Sequence, residues 1–320
     1  MKVALLEPLR VSEDLINQLA QPILDAGHEF KYYSEKTTDP EELYQRSKDA
    51  DIVMIANNPY PDEVIEKLEQ TKLIDVAFTG VDHVGLSAAK EKGIKVANAA
   101  GYSNQAVPEL VIGLTLALYR AIVQGDQDIR LGSDFEGPIQ GQEVKGKTIG
   151  IIGTGSLGIN TARIFKAFGE VNLLGYNRSE KEEAKELGIK YVTLEELLKE
   201  SDIVTIHLPA TDETKHLIGA QELELMKDSA ILLNVARGPI VDNAALAQAL
   251  NKGKIAGAGI DVFDGEPPLD DDYPLLSAKN IVMTPHVGYL TDEAMVQRAE
   301  IAFDNAISFL QGEEQNIVEN

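Results

Sequence analysis

Four short stretches carry residue types that can do chemistry together. Gly153-Thr154-Gly155-Ser156-Leu157-Gly158 reads GxGxxG. It follows the apolar, β-branched run 147–152 and precedes Leu157, Ala162, Phe165 and Phe168 at helical spacing. A glycine turn between strand and helix lets backbone N–H groups approach a pyrophosphate, with the positive end of a helix dipole behind them. Further along, an arginine, a carboxylate and a histidine each come just after a strand-like run: Arg237, Glu266 and His286. Arginine grips a carboxylate at two points. Histidine titrates near neutrality and can protonate a carbonyl oxygen as hydride reaches the carbon. A neighbouring carboxylate orients the imidazole and favours its protonated form. The set suits reduction of a 2-oxo acid. Taken singly, each residue also has an ordinary role: a surface ion pair for Arg237, a solvated acid for Glu266, a packed strand-end histidine for His286.

The elements that must position these residues alternate strand and helix from the first residue, an α/β pattern. Segments 3–7, 30–33, 52–56, 73–78 and 95–98 read as strands, with amphipathic segments such as 41–48 and 62–69 between them. This first series has no phosphate-type glycine loop. The segment 108–120 is apolar nearly all round and reads as a buried helix. The polar, glycine-rich segment 132–147 reads as a loop. A second series follows, with strands at 148–152, 171–176, 203–207, 231–235, 258–262 and 281–283. Strand ends in open α/β sheets face the ligand crevice. That rule adds His207, Pro209, Val235, Ala236 and Asp261 to the cofactor candidates. The final segment 291–311 is one amphipathic helix, with Met295, Ala299, Ala302, Phe303, Ala306, Ile307 and Leu310 on one face. Periodicity leaves open which half of the chain it covers.

The composition narrows the partners. The 320 residues are long enough for two domains and carry a formal charge of −23. So acidic a surface argues against nucleic acid and anionic lipid. No cysteine is present, so there is no disulfide, thiolate metal site or cysteine nucleophile. The histidines show no metal-ligand spacing, and no metal is expected. The N-terminus lacks a signal-peptide core, and the longest apolar run is too short to span a bilayer. A cytoplasmic protein without membrane partners is the expectation.

The blocks Gly146-Lys147-Thr148-Ile149-Gly150-Ile151-Ile152-Gly153, Asn234-Val235-Ala236-Arg237-Gly238-Pro239, Asp261-Val262-Phe263-Asp264-Gly265-Glu266-Pro267-Pro268 and Thr284-Pro285-His286-Val287-Gly288 resemble the D-isomer-specific 2-hydroxyacid dehydrogenase family. The resemblance spans essentially the whole chain. It implies two doubly wound parallel-sheet domains, a Rossmann cofactor domain inserted into a flavodoxin-like substrate domain. The implied boundaries are 1–101 with 290–320 for the substrate domain and 102–289 for the cofactor domain. It places the family's catalytic arginine, acid and histidine on Arg237, Glu266 and His286. It places the substrate-carboxylate loop on Thr79, Gly80 and Val81, and interdomain crossings on Tyr102 and Tyr289, with Tyr102 also lining the substrate site. It implies a homodimer joined through the cofactor domain, by 108–120 and the loop after it. A transcriptional corepressor-like nucleotide sensor and a phosphoglycerate dehydrogenase share the fold and stand as alternatives. A corepressor's added peptide-binding region and the C-terminal regulatory domain of longer phosphoglycerate dehydrogenases are not expected in this chain. One position departs from the NAD-type pattern. The second strand of the glycine-loop series should end at an acid that binds ribose hydroxyls. Here it ends Asn177-Arg178-Ser179, which points to NADP, with NAD as the alternative.

Overall fold

The computed structural model describes residues 1–132 and 137–318. The expected loop 132–147 therefore lies partly outside the described residues. The chain divides into two compact units, 1–103 with 290–320, and 104–289.

The first unit holds strands β1 (Lys2–Leu5), β2 (Glu29–Tyr32), β3 (Ile52–Ile55), β4 (Leu73–Val76) and β5 (Lys95–Asn98). Helices α1 (Glu13–Asp25), α2 (Pro40–Ser47), α3 (Asp62–Ile65) and α4 (Leu86–Glu91) link them. The five strands run parallel in the order β2-β1-β3-β4-β5, so the connection direction reverses between β1 and β3. Parallel strands covered on both faces are apolar throughout, and β3 is buried at every residue. β4 is also buried throughout, yet carries the polar residue Asp75.

The second unit opens with α5 (Ala106–Tyr119) and α6 (Ile122–Leu131). Then come β6 (Thr148–Ile152), α7 (Ser156–Lys166), β7 (Asn172–Tyr176), α8 (Glu182–Glu186) and β8 (Lys190–Tyr191). They are followed by α9 (Leu194–Glu200), β9 (Ile203–Ile206), α10 (Ala220–Leu225), β10 (Ile231–Asn234), α11 (Asn243–Asn251), β11 (Gly257–Ile260) and β12 (Ile281–Met283). The seven parallel strands lie in the order β12-β11-β10-β9-β6-β7-β8. The order reverses between β6 and β9, where a Rossmann sheet leaves its crevice. One apolar cluster joins Leu197, Leu223, Leu246 and Leu250 to one sheet face; another joins Val111, Leu114, Ile159 and Phe165 to the other.

Helix α12 (Asp292–Leu310) belongs to the first unit. Thr291 caps it by accepting from the Ala294 N–H. Ala299, Ala302, Phe303 and Ala306 pack against Val3, Leu5, Ile16 and Ile52. That settles the question the helical period leaves open. Beyond it, Ile317 bridges Ala97 in antiparallel sense, and the Val318 N–H donates to the Val96 carbonyl.

Three expectations need correction. α5 is not buried all round: Glu109 and Gly113 are exposed, and Ile112, Leu116, Ala117 and Leu118 are half-covered. Between Leu110 and Tyr119 the only polar side chains are Thr115 and the Tyr119 hydroxyl, so the run shows no helical period and its solvent side is invisible in the sequence. α6 and the two-residue strand β8 lie outside the expected elements. Several strands stop one or two residues before the apolar run does. Glu7, Ala56, Phe78, His207, Val235 and Val262 leave the ladder and turn into the loops at the strand ends.

Among the described residues, no single helix is long and apolar enough to cross a membrane. The bent pair α5–α6 passes that test only when joined, and α5 packs on α7, β10 and β11.

Candidate active site

The glycine motif lies at the switch point of the seven-stranded sheet, and its three glycines differ in what they make possible. Gly153 has φ +97°, and a Cβ there would lie 2.7 Å from the His207 carbonyl oxygen. Only glycine turns so tightly beside the end of β9. A Cβ on Gly158 would lie 2.0 Å from the Gly153 carbonyl, so the start of α7 packs directly on the turn. Around Gly155 nothing comes within 4 Å. Backbone N–H groups at an open helix N-terminus, with no side chain in the way, fit a pyrophosphate. Ser156 is exposed and Leu157 half-buried at the first turn of the eleven-residue helix α7. Thr154 is buried, and its Oγ1 lies 2.6 Å from the Tyr191 hydroxyl on β8. The short strand missing from the sequence expectations thus braces the glycine turn.

His207 Nε2 lies 3.0 Å from Thr205 Oγ1, while its buried Nδ1 has no hydrogen-bond partner. Burial lowers the His207 pKa to about 3, so the ring is neutral. A neutral ring with an unmatched nitrogen beside the glycine turn fits a nearby polar ligand better than a packed core. Pro209 is exposed, and its carbonyl accepts from Thr214 Oγ1 at 2.7 Å. At the end of β7, Asn177 Nδ2 donates to the Ser179 carbonyl at 2.7 Å, closing its own turn. Arg178 is 85% exposed and pairs with Glu213 at 3.2 Å.

The catalytic candidates sit on the strands at the other side of the switch. Asn234 ends β10, nearly fully buried; its Nδ2 donates to the Arg237 carbonyl at 2.9 Å and its Oδ1 accepts from the Ala236 N–H at 3.1 Å. This amide fixes the turn that carries Val235, Ala236 and Arg237. Arg237 Nη1 donates to the Ala236 carbonyl at 2.9 Å. His286 Nδ1 lies 2.7 Å from Glu266 Oε1, with Glu266 73% exposed and the His286 side chain 19%. The Tyr289 ring stands edge-on to the imidazole, with centroids 5.4 Å apart.

His286 adopts φ 53°, a left-handed conformation that costs a non-glycine residue about 1 kcal/mol. Asp261 holds it there. Its carbonyl accepts the His286 N–H at 2.8 Å. Its buried carboxylate accepts from Thr284 Oγ1 at 2.5 Å, Val287 N–H at 2.9 Å and Gly288 N–H at 2.8 Å. Burial raises the Asp261 pKa, opposed by these hydrogen bonds and by the charge of His286. The sequence marks Asp261 as a cofactor contact; the structure turns its carboxylate to the histidine loop, where it braces His286. Asn234 and Thr284 lie outside the site residues expected from the sequence. An Asn or Thr at a strand end is too common to single out without its partners.

The expected substrate residues Thr79, Gly80, Val81 and Tyr102 belong to the first unit. Thr79 is exposed, and its carbonyl accepts from Asn98 Nδ2 at 2.8 Å. Tyr102 is buried against Phe78, with ring centroids 6.0 Å apart. Among the described residues, no group of His, Asp or Glu is arranged to hold a metal ion.

Residues 112–288 match the family model described as D-isomer specific 2-hydroxyacid dehydrogenase, NAD binding domain. The chain is 42% identical over 302 residues to a glycerate dehydrogenase of Methylorubrum extorquens, covering 91% of this chain and 92% of that one. It is 39% identical over 297 residues to a glyoxylate reductase of Aeropyrum pernix, with 88% of each covered. Among solved structures, the acyclic imino acid reductase Bsp5 in complex with NADPH and D-Arg superposes over 100% of both chains, with a TM-score of 0.88 at 30% identity. The chain belongs to the D-isomer-specific 2-hydroxyacid dehydrogenase family, oxidoreductases that exchange hydride between a nicotinamide cofactor and a 2-oxo or 2-hydroxy acid.

Proposed function

We propose that this chain reduces short 2-oxo acids to (R)-2-hydroxy acids, with NADPH as the preferred hydride donor. The observation that carries the reading is the Glu266–His286 hydrogen bond of 2.7 Å on a histidine held in a left-handed conformation. Glu266 accepts the Nδ1–H hydrogen bond, which leaves Nε2 as the nitrogen that gives its proton to the substrate carbonyl oxygen. The carboxylate also favours the imidazolium form needed for that donation. Arg237 binds the substrate carboxylate and so fixes the carbonyl carbon for attack. Gly153, Gly155 and Gly158, with the first turn of α7, would hold the cofactor pyrophosphate. A nicotinamide bound there would supply the hydride. In the reverse direction neutral His286 accepts the hydroxyl proton.

The NADPH preference rests on Asn177 and Arg178. Asn177 is neutral and repels no 2′-phosphate. Among the described residues Arg178 is held only by an exposed pair with Glu213, and such pairs contribute about 0–1 kcal/mol, so a phosphate displaces Glu213 readily. The short-acid preference follows the glycerate and glyoxylate activities named for the relatives. We also infer a homodimer. Ile122, Val123, Ile129 and Leu131 on α6 are between 44% and 69% exposed, beside the half-covered face of α5. A cysteine-free, strongly acidic chain suits the cytoplasm.

Initial rates with glyoxylate, hydroxypyruvate and pyruvate, each with NADPH and with NADH, test the reading. The expected order is highest kcat/KM for a two- or three-carbon acid with NADPH. Equal or better efficiency with NADH sinks the cofactor assignment. Arg237→Ala should lower kcat/KM by about 10²–10³, with Arg237→Lys restoring part of it, since lysine lacks the planar two-point contact. Turnover that survives Arg237→Ala within a few-fold removes the anchor role.

A further inference from the structure

The loop that carries Glu266 is tied to the turn that carries Arg237. Gly238 follows Arg237, and a Cβ on it would lie 1.9 Å from the Phe263 carbonyl oxygen and 2.7 Å from the Asp264 nitrogen. The Arg237 turn therefore rests on the peptide that opens the Glu266 loop. Asp264 Oδ2 then accepts two hydrogen bonds, from Tyr273 Oη and from Asn243 Nδ2, both at 3.0 Å. Asn243 is the first residue of α11, in the same excursion from β10 that carries Arg237. Tyr273 lies at the far end of the Glu266 loop and packs edge-on against Phe263, with centroids 6.0 Å apart. Burial, then the neighbouring Asp264, pushes the Tyr273 phenol up to about 12, so its hydroxyl remains a donor.

Glu266 itself is 73% exposed, and among the described residues its one hydrogen bond is to His286. A carboxylate so exposed has many rotamers open to it, so its register depends on the backbone beneath it. We propose that Asp264, gripped by Tyr273 and Asn243, is a positioning residue that fixes Glu266 against His286 and keeps that pair in register with Arg237. Asp264 touches neither substrate nor cofactor in this scheme; it acts through Glu266. The inference rests on the Glu266–His286 pairing of the proposed function.

The test reads His286 directly, in the full chain without cofactor, by following the histidine ring signals in a pH titration. The His286 signal is assigned by its loss in His286→Gln. Among the described residues, Glu266, Asp261 and Tyr289 face the ring. Glu266→Gln should lower the His286 midpoint. Asp264→Asn and Tyr273→Phe should lower it in the same direction by a smaller step. Asp264→Asn added to Glu266→Gln should lower it no further. With glyoxylate, Asp264→Asn should cut kcat by about three- to tenfold through weakened acid catalysis, while KM for the reduced nicotinamide nucleotide holds. If Glu266→Gln moves the midpoint and neither Asp264→Asn nor Tyr273→Phe does, the positioning role is wrong and the pairing stands. If Glu266→Gln leaves the midpoint in place, the pairing fails and takes the positioning role with it. Tyr273→Phe deletes one oxygen, so it carries the test should Asp264→Asn not fold.

Discussion

Each of the two sheets has a point where strand order reverses, and the two points are built in opposite ways. In the seven-stranded sheet the reversal lies between β6 and β9, and the backbone there is left open around Gly155. In the five-stranded sheet it lies between β1 and β3, and a carboxylate of the chain itself fills it. Glu7 is fully buried; its Oε1 accepts from the Ala56 and Asn58 N–H groups at 2.8 and 2.9 Å, and Lys36 pairs with Oε2 at 3.3 Å. Nearby, buried Arg298 donates to Asn57 Oδ1 at 2.9 Å and to the Leu9 carbonyl at 2.7 Å. One reversal point keeps its donors for a ligand's anion; the other has spent them on an internal one. The same topology thus gives a binding crevice or a braced loop, depending on whether a side chain or a ligand supplies the negative charge.

The largest expected effect is at the open side. His286→Gln should lower kcat by about 10²–10⁴ with fold and cofactor affinity retained. Single-turnover rates check this, and a variant keeping more than a tenth of wild-type kcat, with chemistry limiting, removes His286 as the acid. At the filled side the loss should be one of stability. Glu7→Met leaves the Ala56 and Asn58 N–H groups buried without an acceptor and should cost about 2–4 kcal/mol by urea denaturation. Its nucleotide affinity should match wild type; a large fall in nucleotide affinity at unchanged stability would break the comparison.

The contrast sharpens at the cofactor. Asn177→Asp combined with Arg178→Ala should reverse the preference from NADPH to NADH, a swing of about ten- to a hundredfold in kcat/KM from losing one or two charge-assisted hydrogen bonds. An unchanged ratio of the two efficiencies returns Arg178 to a solvent role.

The smallest effect concerns a second buried acid of the first unit. Asp75 Oδ1 accepts from Asn305 Nδ2 at 3.0 Å, and burial raises its pKa well above the usual range, against that hydrogen bond. Below about pH 4 both folded and unfolded chains hold the proton, and the group costs nothing. As pH rises the unfolded chain releases it first, so stability falls with pH. Asp75→Asn should therefore raise Tm at pH 7, and the gain should shrink toward pH 4. Thermal melts across that range check the sign, and a constant difference denies the linkage.

Sequence showed what is periodic or punctuated by glycine. Apolar runs gave away the buried strands, and the strand–GxGxxG–helix order gave away the cofactor turn. Arg237, Glu266 and His286 stood out because each follows a strand. What it could not show are partners distant along the chain. Asp264 pairs with Asn243 and Tyr273, which lie 21 and 9 positions away, and no local pattern joins them. Asp75 and Arg298 look like solvent-facing residues until Asn305 and Asn57 are seen opposite them. β8, two residues long, is too short for any period.

Helix α12 has a consequence for how the chain is made. The core of the first unit includes Ala299, Ala302, Phe303 and Ala306, so it lacks one wall until α12 has been synthesised. Residues 104–289 have their whole core before that. The unit that contains β1 is thus completed only when α12, which follows 104–289 in the chain, packs on it. Until then Val3, Leu5 and Ile16 lack the helix they pack on, a window in which a chaperone has something apolar to hold. Protease profiling of stalled chains should show 104–289 protected while 1–103 is still cut, and protection of both before residue 310 emerges would show that α12 is not the closing wall.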